Sequence, residues 1–271
     1  MTLCIAAIAR SENKIVAVSD FMLSTDSMSM TSRVSKVAKF GASGKWIEMF
    51  SGDPSANQEI LVKASGNLGS EEKWVSDEVP DAFASAYRDI LKHKIEGEVL
   101  SPFGLTRDQF LRDGRAMFGD ENFTRIAAQI GSSSLETDIL LAGFQENGTP
   151  RLASISNPGV KYIHDMASFY AIGCGEQLAN AALMSEFDPC ARISETIYRI
   201  LEAKFKSESA PGVGKETSLM LLCPDGNSVR ISPEHLEKIR SFWESEGKPT
   251  VPNKAIELVR ELFAQKVQFA T

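Results

Sequence analysis

Basic charge is what this sequence is short of. Its 29 Lys and Arg face 36 Asp and Glu over 271 residues, a net charge of -7 with a pI near 5.2. That balance argues against a nucleic-acid-binding surface. Histidine is scarcer still. His93, His164 and His235 lie far apart with no ligand spacing, so no metal and no cofactor is expected. The four cysteines, Cys4, Cys174, Cys190 and Cys223, include no C-x-x-C pair. They fit reduced thiols in a cytoplasmic protein better than a disulfide framework. No apolar run is long enough to span a bilayer, so no membrane partner is expected. The apolar opening has no basic segment before it and breaks at Arg10, which reads as a buried first strand rather than a signal peptide. Tandem repeats of solenoid length are absent.

What is present is a globular pattern, 43% hydrophobic and 24% charged. Leu3 to Ala9 and Ile15 to Asp20 read as strands joined by a polar turn. Arg33 to Phe40 and Trp46 to Ser51 form a second hairpin around Gly41 to Gly44. Asp53-Pro54 suits a helix start, Asp as cap and Pro in the first turn. Pro80 to Glu98 has helical apolar spacing, and shorter helices are expected over Thr106 to Phe118 and Asn122 to Ile130. Strands then return at Ile139 to Phe144, Arg151 to Ser156, Val160 to Ile163 and Phe169 to Ile172. Helices follow over Glu176 to Met184 and Ala191 to Ser207, then strands at Ser218 to Cys223 and Ser228 to Ile231. Ser232-Pro233 opens a charged helical tail. The expected fold is α+β: a four-layer αββα sandwich of two stacked antiparallel sheets flanked by helices, with extra helices in the middle and at the C-terminus. Residues 2–231 would form one domain with a helical insertion at about 99–134, and residues 232–271 a C-terminal helical extension.

Three polar residues stand out against this pattern. Thr2 follows Met1, and a residue this small normally permits removal of the methionine. A threonine at a free N-terminus carries a nucleophile and a base together, its hydroxyl attacking while its α-amine takes the proton. Asp20 shares a strand face with Val16 and Val18, and Lys36 shares one with Val34, Ala38 and Phe40. A charge on an apolar face is costly unless paired, so the two are expected to pair with each other. An α-amine has a reference pKa of about 7.7–8, and a nearby ammonium keeps more of it in the basic form. Ser51-Gly52-Asp53, where a strand meets a helix, could offer a backbone N–H to an oxyanion. Met22, Met28 and Met30 are read as loop packing, and Cys4 is rejected as a nucleophile because exposing it would require trimming three residues.

These residues resemble the β-type subunits of the proteasome, members of the N-terminal nucleophile hydrolases, of which the chain looks like a divergent bacterial-type relative. Ala17-Val18-Ser19-Asp20 looks like the family's strand ending in aspartate, and Val34-Ser35-Lys36-Val37 like its lysine strand. Phe50-Ser51-Gly52 is similar to its oxyanion turn, Leu140 to Phe144 to its central hairpin, and Gly173-Cys174-Gly175 to its glycine-serine-glycine turn. By this resemblance Thr2 would be nucleophile and base, Asp20 and Lys36 would tune it, and Gly52 would supply the oxyanion N–H. Cys174 stands where the family has serine, and the late aspartate and serine fall near Glu208 and Pro211. A glutamate replaces a carboxylate, whereas proline cannot replace a hydroxyl. The implied activity is threonine-type cleavage of amide bonds, in peptides, through an acyl-enzyme inside a homo-oligomer; an unfoldase partner is not specified by the sequence. Two alternatives stay open: an amidase acting on a small amide, and a non-catalytic assembly subunit with the same sandwich.

Overall fold

The computed structural model describes residues 2–25, 28–31, 36–41, 43–69 and 78–247. The chain begins with β1 (Leu3–Ala9) and β2 (Lys14–Asp20), an antiparallel hairpin closed across Ala9 and Lys14. A short ribbon follows, β3 (Met22–Thr25) with β4 (Met28–Thr31). Then come β5 (Val37–Phe40) and β6 (Trp46–Gly52), and two helices, α1 (Pro54–Leu68) and α2 (Glu78–Ile95). The ribbon is a departure from the loop expected around Met22, Met28 and Met30. Met22-Leu23-Ser24-Thr25 does not alternate, and Met28-Ser29-Met30-Thr31 does so over only four residues, so the strand signal is weak.

Helical turns over Glu96–Phe103 lead into α3 (Arg107–Ser132). Thr106 and Gln109 form a reciprocal capping box at its start. Two helices were expected here. The structure has two helical stretches here, which meet at a kink at Gly119, where φ is 73°. The chain returns to strands with β7 (Thr137–Phe144), β8 (Pro150–Ser156), β9 (Val160–Ile163) and β10 (Phe169–Gly173). Next are α4 (Glu176–Glu186), α5 (Ile193–Ser207), β11 (Thr217–Leu222), β12 (Ser228–Arg230) and α6 (Pro233–Phe242).

Two five-stranded sheets result, in the orders β10-β1-β2-β11-β12 and β5-β6-β7-β8-β9, with antiparallel pairing throughout. Alternation along the strands divides the apolar side chains between two cores. Cys4, Ala6, Ile8, Ile15 and Ala17 of the first sheet meet Ile47, Met49, Leu140, Ala142 and Leu152 of the second. Trp46, Ile139, Leu141 and Ile155 turn the other way and pack with Ile60, Phe83 and Tyr87 of α1 and α2. Each large apolar side chain buried in this way contributes roughly 1.5–3 kcal/mol. α5 lies on β1 and β2, and α4 on β10. The architecture is therefore the expected α+β sandwich, helices outside two stacked antiparallel sheets.

The chain divides into two units, residues 1–233 and 234–271. Of the second, α6 and a helical turn to Gly247 are described; the rest of the expected C-terminal helical extension lies outside the described residues. Among the described residues, no helix is long and apolar enough to cross a membrane.

Candidate active site

The start of β1 and the end of β2 lie side by side, with Cys4 opposite Ser19. Continued by one residue, that register brings Leu3 level with Asp20, and Thr2 just beyond it reaches the Asp20 carboxylate. Lys36 lies in a bend just before β5 and reaches the same place. Its partner was anticipated, but the face was not: Ala38 is exposed and Phe40 packs toward α2, while Lys36 turns between the sheets. The bend interrupts the alternation on which the expectation rested, and Val34 and Ser35 lie outside the described residues.

The three side chains form one closed cluster. Thr2 is 1% exposed, Asp20 0% and Lys36 3%. Thr2 Oγ1 donates to Asp20 Oδ1 at 2.5 Å and accepts from Lys36 Nζ. Lys36 Nζ also donates to Asp20 Oδ1 at 3.0 Å and to the Met22 carbonyl. An ammonium has three protons to give, and here three acceptors take them. Asp20 Oδ2 accepts from the Gly214 amide at 2.8 Å. Taking two charges out of water costs several kcal/mol per ion, offset only when the remaining hydrogen-bonding positions are filled. They are filled here.

The turn after β10 holds the backbone of Thr2. The Cys174 amide donates to the Thr2 carbonyl at 2.8 Å. Gly173 has φ 100°, and a Cβ there would overlap that same carbonyl. Cys174 thus meets Thr2 through its backbone, while its side chain is exposed. Gly52 ends β6 with φ 95°, and a Cβ there would overlap the Glu136 carbonyl. Backbone packing by itself requires glycine at both positions. Ser51, beside Gly52, also lies against Gly173, so the two turns are neighbours.

Glu208 closes the end of α5 and pairs with Lys204. Lys204, a residue that sequence reasoning passed over, also donates to the Gly214 and Lys215 carbonyls at 2.8 and 2.7 Å. A signal for it exists, because Lys204 follows Thr196 and Ile200 at four-residue intervals on the buried face of α5. Pro211 lies in the turn that precedes Gly214. Cys4 is buried next to the cluster, and burial pushes its thiol well above the ordinary value against the opposing pull of Lys36. It donates weakly to the Phe50 carbonyl at 3.4 Å and stays a thiol. No group of three or more His, Cys, Asp or Glu side chains among the described residues could hold a metal ion.

A buried threonine hydroxyl held by a carboxylate and an ammonium thus sits in a sandwich of two antiparallel sheets flanked by helices, a fold shared with solved structures. In particular, the chain is similar to Anbu, described as an ancestral β-subunit, from Yersinia bercovieri, with a TM-score of 0.62, 14% identity and 97% of each chain covered. Anbu from Hyphomicrobium sp. strain MC1 gives 0.60 and 15% over the same shares, and a mutant of it 0.60 and 14%. No protein-family model matches the chain, and no curated protein matches it in sequence. These findings correct the resemblance to proteasome β-type subunits: the structures just named are of Anbu, and at such identity the likeness is one of fold. The quoted motifs are short, and two of their glycines, Gly52 and Gly173, are fixed by carbonyl overlaps that the sandwich imposes. They mark the architecture rather than membership of that family.

Proposed function

We propose that this chain is an N-terminal threonine hydrolase that cleaves amide bonds. The observation that carries this reading is the double contact of Thr2 Oγ1 with Asp20 and Lys36 inside a buried, fully hydrogen-bonded cluster. The reading requires a processed chain that begins at Thr2, with an α-amine that the unprocessed chain lacks. In that chain the amine accepts the Oγ1 proton and Oγ1 attacks the substrate carbonyl carbon. The Gly52 N–H holds the oxyanion. The C–N bond breaks, the leaving amine takes the proton, and an ester remains on Thr2. Water then attacks the ester, releasing a carboxylic acid and restoring the hydroxyl.

Lys36 disfavours protonation of the amine by its charge, and Asp20 orients both Lys36 and Oγ1. Cys174 holds the Thr2 backbone through its amide, and Glu208 acts at a distance, through Lys204. The substrate is a peptide or another amide, and the protein works as a homo-oligomer, a reading supported by the likeness in fold to a protein described as an ancestral β-subunit. Thr2→Ala abolishes hydrolysis of peptides and simple amides, with the folded circular dichroism spectrum retained. Undiminished turnover in that variant would overturn the assignment, and the preferred substrate in the unmutated protein separates a peptidase from a small-amide hydrolase.

A further inference from the structure

We infer that Lys204 is a positioning residue for Asp20, clamping the loop whose amide fixes the second carboxylate oxygen; the inference rests on the hydrolase reading above. Asp20 is held along both edges. Oδ1 faces Thr2 and Lys36, and Oδ2 takes the Gly214 amide at 2.8 Å. If the Gly214 contact were lost, the carboxylate could turn about its terminal torsion, which has broad, soft preferences. Thr2 and Lys36 would then lose their common acceptor.

Gly214 belongs to the connection between α5 and β11, residues 208–216, which no strand pairing covers. Something else must fix its amide. Lys204 does so from α5: its ammonium donates to the carbonyls of Gly214 and Lys215, the two that directly follow the amide in the chain, and to Glu208. The side chain is fully buried, 0% exposed. Burying a lysine to brace a surface turn would be a poor use of an expensive charge. Bracing a backbone donor to a buried aspartate gives that charge a purpose. Glu208, 11% exposed, supplies the counter-charge and sits four residues on, one helical turn away.

The test uses the full chain with Lys204→Met, which keeps most of the packing and removes the ammonium. Ile200→Ala, on the same buried face of α5, controls for simple loss of stability. Two readouts are taken: the rate constant and affinity for modification by a peptide epoxyketone, across pH, and amide hydrogen exchange over residues 208–217. The expected result is about a tenfold fall in the limiting rate, the scale of one charge-assisted hydrogen bond. Affinity stays within about twofold, since only the orientation of the reacting groups has changed. Exchange across 208–217 speeds up by more than it does in the Ile200→Ala control.

A limiting rate unchanged in Lys204→Met, or reduced no more than in Ile200→Ala, would overturn the inference. If the unmutated protein forms no adduct, the hydrolase reading fails, and hydrogen exchange alone judges the clamp: unchanged protection in Lys204→Met overturns it, faster exchange supports it. Should Lys204→Met not fold, Glu208→Gln takes its place, with faster exchange over the loop expected and unchanged exchange contradicting the clamp.

Discussion

Asp20 with Lys36, and Glu48 with Asn57, are two buried polar groupings in one sandwich, and they are satisfied differently. Asp20 and Lys36 carry opposite charges, and both carboxylate oxygens and the ammonium have partners. Glu48, 2% exposed on β6, has no ion pair among the described residues; its carboxyl takes a hydrogen bond from Asn57 on α1. Glu48 Oε1 and Asn57 Oδ1 have no partner among the described residues. Burial pushes the Glu48 carboxyl up to about 7, with Asn57 drawing it part of the way back. A buried carboxylate keeps its charge when a cation and amides surround it, and otherwise takes up a proton. The first arrangement serves chemistry that needs a fixed charge. The second makes the fold sensitive to pH.

The largest expected effect comes from breaking the satisfied cluster. Asp20→Ala leaves Lys36 buried without its counter-charge and should destabilise the protein by about 3–5 kcal/mol. Urea unfolding would measure this. A loss below 1 kcal/mol would mean that the pair is solvated like a surface ion pair. Hydrolysis should be lost in the same variant.

Relieving the unsatisfied grouping should do the reverse. The folded protein binds the Glu48 proton more tightly than the unfolded chain, whose carboxyl has its ordinary value near 4.5. Stability therefore falls as pH rises from there through about 7, and levels off above it. Glu48→Gln removes that slope and should gain on the order of 2–3 kcal/mol relative to the unmutated protein between pH 5 and pH 8. Urea midpoints at the two pH values read it directly, and parallel curves for the two proteins would contradict the account.

A smaller effect sharpens the same point. Asn57→Ala removes the donor that lowers the Glu48 carboxyl. The pH window should extend upward, with a further loss of about 1 kcal/mol at pH 8.

Much of this was legible in the sequence. Asp20 and Lys36 do meet, because the cost of an unpaired charge restricts where a buried Asp and Lys can go, and Thr2 joins them. Asp53-Pro54 caps α1 as its residues suggest, with Asp53 accepting from the Ser55 amide at 2.8 Å. Local chemistry of this kind needs no partner from elsewhere in the chain. What was not legible is long-range. Gly214 is 194 residues from Asp20, and no pattern near either predicts their hydrogen bond. Lys204 matters only through that bond. The face of Lys36 was misread because its bend precedes the strand, and alternation holds only inside one. The family resemblance went further than the residues could carry it, since the turns that prompted it are required by backbone overlaps at Gly52 and Gly173.

The most direct test of the central claim is the intact mass of the untagged protein before and after a peptide epoxyketone, which reacts with both the hydroxyl and the amine of an N-terminal threonine. The account predicts a chain beginning at Thr2 that gains the mass of one inhibitor, and no gain in Thr2→Ala. A chain that begins at Thr2 and takes up no inhibitor would contradict it.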